Sequence, residues 1–358
     1  MKQVSTIAAM LTLLALQAHA TIWRVNNNTG VAANYTTLSA AVSGAAAGDT
    51  IYLEGSATNY GGATIAKKLT IIGTGYFLAD TANHETQWNT NAAAISDLTF
   101  SPGSKGSKLS GVVEAGSIYL NDSLVTIERS LIYTYILLAN AASSYADHDT
   151  IRQCVLGNYI ISQTSTGSAK GVMIYNNIIA GGFSFGNNLA NTTAYVINNT
   201  IIGYDFTCQN CVFQNNIFWS TSTYFNGYAS SNYFAYNVFT VSSSYSGVSG
   251  VATGNSNQFG VSTSALFVVS SPSSPANIYA TPPTGYSHDG QYQLATSSPA
   301  LGAGNINGTT VDCGAFGGPA PYILSGMPNI PSIYSLTVPA QVNNGTTSMN
   351  ITLSAAAH

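Results

Sequence analysis

Val172-Met173-Ile174-Tyr175-Asn176-Asn177-Ile178-Ile179 is a phrase that this chain repeats. It returns as Tyr195-Val196-Ile197-Asn198-Asn199-Thr200-Ile201, as Cys211-Val212-Phe213-Gln214-Asn215-Asn216-Ile217-Phe218, and as Tyr233-Phe234-Ala235-Tyr236-Asn237-Val238-Phe239. Aligned on the second asparagine, Asn177, Asn199, Asn216 and Asn237 stand in one column, and extension backwards adds Cys154 and Ser130. From Ser130 onward the steps are 24, 23, 22, 17 and 21 residues.

Neighbouring columns test the alignment. Three residues before the anchor lie Ile127, Ile151, Ile174, Val196, Phe213 and Phe234; two after it lie Ile132, Leu156, Ile179, Ile201, Phe218 and Phe239. Both columns are wholly apolar. Two before the anchor the column is mixed (Glu128, Arg152, Tyr175, Ile197, Gln214, Ala235) and reads as solvent-facing. This in-out alternation is the period of a strand. Strands that recur every ~22 residues, each too short to bury its own face, are stable only when stacked on the next coil at ~4.8 Å. An asparagine column at a bend then becomes a ladder, with each side-chain amide bonded to its neighbours above and below. A β-propeller, at ~40 residues per blade, fits the spacing less well.

Composition agrees with an all-β solenoid. Charged residues are 6% of the chain, against about a quarter in an ordinary soluble protein. No Lys or Arg follows Lys170, and the later acids are only Asp205, Asp289 and Asp312. There is no basic cluster to hold nucleic acid. Residues 1–20 read as a secretory signal peptide, with Lys2, an apolar run from Ile7 to Leu16 and a small-x-small site at Ala18-His19-Ala20. No stretch reaches the ~18 apolar residues of a transmembrane helix. The mature chain is therefore expected outside the cytoplasm, secreted or at the cell surface. Its four cysteines are too sparse for a disulfide scaffold, and Cys208-x-x-Cys211 has no matching pair to complete a zinc site. Buried thiols, a local bridge and a longer-range disulfide stay open.

Both ends carry a family resemblance. Tyr35 to Val42, Ala47-Gly48-Asp49-Thr50-Ile51-Tyr52-Leu53, Asn59-Tyr60-Gly61-Gly62 and Lys67 to Gly73 resemble the opening of pectin-lyase-like β-helix proteins. In those proteins a short amphipathic helix caps the first coil, and Thr37 to Ala46 is the matching segment here. Ser298-Pro299-Ala300-Leu301-Gly302-Ala303-Gly304 and Val311-Asp312-Cys313-Gly314-Ala315-Phe316-Gly317-Gly318 resemble the closing signature of secreted bacterial β-helix proteins. They depart from it at Gly302, where an acid is frequent, and at Cys313, where an aliphatic is frequent. The expected fold is all-β: a right-handed parallel β-helix over 21–327 with an N-terminal capping helix. Over 328–358, Ile333 to Val338 and Met349 to Leu353 alternate around Asn343-Asn344-Gly345 as a C-terminal β-hairpin.

The resemblance is to a fold that hosts lyases, hydrolases, esterases and non-enzymes. Strings that mark the hydrolases (Asn-Thr-Asp, Gly-His-Gly, Arg-Ile-Lys) and the esterases (Gln-Asp-Thr) are absent. A Ca²⁺-dependent lyase needs carboxylates to bind the ion and a Lys or Arg to remove the proton α to a uronate carboxylate. One region has these residue types. The register puts Asp147 and Lys170 one coil apart, with His148 and Asp149 beside them and Asp122 on the preceding coil. Asp122, Asp147 and Asp149 are the candidate metal ligands, and Asp147, Asp149 and Lys170 the candidate catalytic residues. The same residues also read as a hydrophilic loop, since Ser143 to Asp149 is a turn-like insert. Glu128 and Arg152 share a column as an exposed stacked ion pair. Neither His84-Glu85 nor His288-Asp289 is a dyad by itself, because adjacent residues of an extended chain point opposite ways.

Tyr175, Tyr195, Tyr233 and Tyr236, with Trp219, Tyr224 and Tyr228, form an aromatic and uncharged flank suited to stacking on sugar rings. Tyrosine is equally a good strand residue. Three function classes follow: a non-catalytic carbohydrate-contacting or adhesive scaffold, for which no cofactor is needed; a Ca²⁺-dependent polysaccharide lyase; and a structural envelope protein.

Overall fold

The computed structural model describes residues 20–80, 82, 88–162, 166–185, 189–226, 228, 231–251, 255–272, 281–339, 341 and 348–356. The expected signal segment up to His19, the pair His84 and Glu85, and the Asn343-Asn344-Gly345 turn lie outside them. The described residues form a parallel β-solenoid of about eight turns, built as three stacked sheets. The long sheet has ten strands, from Ile22–Val25 to Tyr233–Ala235. A second sheet has eight, from Ala94–Ile95 to Val238–Phe239, and a third has seven, from Ala63–Ile65 to Phe206–Thr207.

Register follows the sequence columns rung by rung. In the long sheet, Ile127 pairs with Ile151, and the column continues through Ile174, Val196, Phe213 and Phe234. In the second sheet the column runs from Ile132 through Leu156, Ile179, Ile201 and Phe218 to Phe239. Both are buried in the solenoid core. Aliphatic side chains fill the middle coils and phenylalanines the later ones. Phe213 stacks on Phe234 at 4.9 Å and Phe218 on Phe239 at 4.5 Å, with ring planes within 8°. That separation is the strand spacing of ~4.8 Å, so a phenyl ladder forms at no cost to the backbone.

The corner between the long and second sheets is turned by one residue. Gly111, Arg129, Gln153, Asn176, Asn198, Asn215, Tyr236 and Ser256 occupy it in successive coils, all with φ between 48° and 70°. Asparagine tolerates this left-handed conformation; most other side chains pay ~1 kcal/mol or more. The next residue turns inward and forms the ladder. The Oδ1 atoms of Asn199, Asn216, Asn237 and Asn257 each accept the backbone N–H and the Nδ2 of the asparagine one coil before, at 2.9–3.0 Å. Nδ2 of Asn177, Asn199, Asn216 and Asn237 also donates to Ile151, Ile174, Val196 and Phe213 carbonyls, at 2.7–2.9 Å. Asn257 is a fifth rung. Where the column holds Cys154 and Ser130, the shorter side chains instead donate to carbonyls of their own coil, Arg152 and Glu128.

A second core lies outside the solenoid. The first residues of the second-sheet strands, Leu131, Val155, Ile178, Ile217 and Val238, face outward and are nonetheless buried. They are covered by a return strap, approximately residues 298–327, which contributes Ala300, Cys313, Ala315 and Tyr322. The side chains of the left-handed corner residues grip this strap. Asn215 Nδ2 donates to Asn305 O, Asn198 Nδ2 to Asp312 O, Asn176 Nδ2 to Ala315 O and Gly317 O, Gln153 Nε2 to Pro321 O, and Arg129 to Met327 O. As the strap advances, its partners step back coil by coil. It therefore runs against the growth of the solenoid.

Leu38–Gly44 is the capping helix, started by Thr37, whose side chain accepts the Ala40 N–H at 3.3 Å, and it buries Leu38, Ala41 and Val42. The C-terminal hairpin pairs Ser332–Thr337 with Thr352–Ala356, so its second strand begins three residues later than the alternation suggested.

Replacing Asn216 by alanine removes the acceptor for two Asn199 donors and the donor to Val196 O and Asn237 Oδ1, all buried. The expected loss is about 3–5 kcal/mol of unfolding free energy in a urea titration. A loss under ~1 kcal/mol would show that the ladder does not hold the coils.

Candidate functional site

The acidic region is where the register put it, and its carboxylates are engaged by backbone. Asp122 accepts from the N–H groups of Gly103 and Lys105 at 2.8 Å and of Ser123 at 2.9 Å. Asp147 accepts from Ser168 Oγ and Lys170 N, both at 2.7 Å. Lys170 thus meets Asp147 through its backbone, and its ammonium pairs with no carboxylate among the described residues. His148 sits in a left-handed turn, its N–H on Lys170 O at 2.8 Å. Among the described residues no three His, Cys, Asp or Glu side chains gather as a metal-ligand set.

Asp149 differs from its neighbours. It is fully buried, its Oδ1 accepts the Val125 N–H at 2.8 Å, and its Oδ2 has no partner. Burial pushes this carboxyl well above its ordinary range; the Val125 bond opposes that, and the charges of Asp122 and Asp147 add to it. Its position recurs along the corner that enters the long sheet. There Asp49, Ser107 and Asn232 likewise accept the N–H of Thr21, Leu69 and Cys211, one coil earlier. Asp149 is thus a rung of a second, interrupted polar ladder.

Glu114 escaped the sequence reading. It pairs with Ile95 and with Ile132, so it fills one position of the inward apolar column of the second sheet. Its Oε1 accepts the Gly116 N–H at 2.6 Å while Oε2 is buried without a partner. Burial raises its pKa to about 8. The break in an otherwise apolar column was the available signal.

The Glu128–Arg152 pair forms, at 2.5 Å, but it is not exposed: Glu128 is 3% accessible, held from the other side by Lys108 at 2.6 Å. The mixed column is therefore partly covered, because cations on both neighbouring coils close over the carboxylate. The four cysteines are free, buried thiols, and burial raises those of Cys154 and Cys313 to about 12. His288 and Asp289 enter separate networks. His288 Nδ1 meets Asp80 at 2.8 Å, whereas Asp289 accepts from Tyr322 and Ser325.

Of the four tyrosines, three share one face. Tyr195 and Tyr233 stand in one outward column of the long sheet, separated by Val212, and are 45% and 53% exposed. Tyr175 lies in the adjacent column, its hydroxyl accepting from Arg152 at 3.0 Å and its ring 5.9 Å from that guanidinium. Tyr236 is at the left-handed corner and leaves the face. Trp219 packs against Phe267 in the strap core, and Tyr224 lies beside Asp205 on another flank.

The chain is thus a strapped parallel β-solenoid with an aromatic outer face. Comparison with family models, with curated proteins and with solved structures gives no match.

The two buried carboxyls carry a pH signature. An acid whose folded pKa is raised contributes stability that is present below its unfolded pKa, ~4.5 for Glu114, and is lost as pH rises through the folded value of about 8. Through Glu114 alone, unfolding free energy should fall by about 2–4 kcal/mol between pH 5 and 9, and Glu114→Gln should remove that share of the slope and leave the share of Asp149. Asp149→Asn should raise the melting temperature at pH 8, since an amide keeps the acceptor and removes the cost of keeping a titratable carboxyl buried. A lower melting temperature would contradict the ladder role.

Proposed function

We propose that this chain is an exported β-solenoid of the pectin-lyase-like type that holds neutral glycan on the outer face of its long sheet, as a non-catalytic adhesive scaffold at a cell surface. The carrying observation is the pair Tyr195 and Tyr233. They are two coils apart, a separation of ~10 Å, which is close to the repeat of a disaccharide unit in an extended β-linked chain. Around them the face is Met173, Tyr175, Ile197, Val212 and Gln214, bounded one coil earlier by Arg152, whose charge is paired with Glu128. Exposed tyrosine rings offer apolar area at low entropic cost, and their hydroxyls remain free to bond sugar hydroxyls. The cation nearest these rings, Arg152, is already paired with Glu128, so a uronate polymer would find no free cation beside them. The lyase reading has less behind it, because Asp122, Asp147 and Asp149 each accept a backbone N–H and do not gather as a metal-ligand set among the described residues.

The test is retention of purified protein on insoluble cellulose, mannan and chitin, beside a spectrophotometric assay for unsaturated uronate release from pectate and alginate with Ca²⁺. Retention without product is expected, and Tyr195→Ala with Tyr233→Ala should weaken it about tenfold. Uronate release that vanishes in Lys170→Ala would establish the lyase instead.

A further inference from the structure

The first coils meet the root of the C-terminal hairpin in a groove that none of the features above uses. Two cavities of about 290 and 250 Å³ share Tyr52 and Pro331 as a common wall. Glu54, Trp88, Asn89 and Ile333 help line the larger. The smaller is apolar, with Ile22, Ile72 and Ile330.

Trp88 is 63% exposed, although a large aromatic side chain is normally buried over most of its surface. The other two tryptophans are engaged. Trp23 Nε1 donates to Asp49 at 2.7 Å, and Trp219 packs in the strap core. Trp88 is held by its backbone, its N–H on Ile333 O at 2.8 Å, which leaves the indole unused. The polar groups beside it are fixed in place. Asn89 donates to Gly55 O at 3.2 Å and accepts the Asn91 N–H at 3.1 Å. Gly55 permits this approach, since a Cβ there would lie 2.7 Å from Asn89 Nδ2. Glu54 is bound by Arg24 at 2.5 Å and by Asn26 Nδ2 at 2.7 Å. Burial favours its neutral form, but the bonds from Arg24 and Asn26 outweigh burial and keep it ionised.

A free indole, a phenol, an oriented amide and a fixed carboxylate around a small concavity make up the chemistry that binds a sugar ring. The aromatic faces take the C–H faces of the ring, and the amide and carboxylate take its hydroxyls. We propose that this groove is a carbohydrate-binding site for one or two rings of a neutral oligosaccharide, stacked against Trp88 and Tyr52 and hydrogen-bonded by Glu54 and Asn89. Neutral ligands fit because no Lys or Arg lines the groove and the nearest cation, Arg24, is spent on Glu54, so an acidic sugar would find no free cation there. The site shares with the function proposed above its class of ligand and the outer face of the long sheet, but it lies on the first coils, and Tyr195 and Tyr233 lie on later ones.

Trp88 supplies its own reporter. The full chain is titrated with cellotriose, mannotriose and triacetylchitotriose while tryptophan fluorescence is followed, and the same ligands are run by isothermal titration calorimetry. A saturable fluorescence change is expected with at least one trisaccharide, with none for trigalacturonate. Trp88→Phe should abolish the change, and calorimetry should show Trp88→Ala binding at least tenfold more weakly with its melting temperature retained. Asn89→Ala should weaken binding by a similar factor. Tyr195→Ala with Tyr233→Ala should leave the titration unaltered. No saturable response to any of the three, a response that survives in Trp88→Phe, or unchanged heats in Trp88→Ala would overturn the site. Polymer retention through Tyr195 and Tyr233 without a Trp88 response would sink this groove and leave the long-sheet face standing; the opposite pair of results would do the reverse.

Discussion

A chain that turns a corner inside its own core must still bond every backbone N–H and C=O it buries there. In this solenoid the requirement is met by side-chain amides, each bonding coils on either side of its own. The asparagine column from Asn177 to Asn257 is therefore a seam. Because each rung fits only its counterpart, the seam also sets register: a one-residue slip would put the amide into the sheet and an apolar side chain into the turn. Coil length is then free to vary only elsewhere. The irregular pairing between Ala169 and Val172 is one place where it does.

The same corner divides its labour between two adjacent residues. The inward one joins coil to coil, and the left-handed one before it reaches outward to the strap. Glycines let the strap come close enough for this. A Cβ on Gly317 would lie 2.9 Å from Asn198 Nδ2, and one on Gly314 would lie 2.7 Å from Ile217 Cδ1. The closing motif around Val311 to Gly318 is thus a packing motif, whose small residues seat it on the outward apolar column of the second sheet.

Stacking was legible in the sequence because in-register coils put like residues on like, and columns preserve what single strands lose. The strap was not read, although its signal was present. The column one after the anchor (Leu131, Val155, Ile178, Thr200, Ile217, Val238) is apolar at every coil but Thr200, where strand alternation demands an outward residue. Asn257 was missed because Asn255-Ser256-Asn257-Gln258 lacks the apolar phrase of its predecessors. For the acidic region, position was readable and role was not. What fixes Asp149 is a backbone N–H 24 residues earlier, which no composition of the Ser143 to Asp149 loop reveals. Tyr236 was placed on the face by counting residues as if the strand ran through the corner, where a φ of 57° turns it away.

The strap also bears on how such a protein can change its length. An unstrapped solenoid gains or loses a repeat by duplication or deletion, since each coil answers only to its neighbours. Here the grips at Asn305, Asp312, Gly317, Pro321 and Met327 tie successive coils to successive points on a second thread. Inserting one coil among Arg129 to Asn215 would leave every later grip out of step unless the strap lengthened in the same event. Two unlinked stretches of gene would have to change together. Copy number in these coils is locked by that tether, and variation is channelled into the loops of the other two corners, beyond the strap's reach.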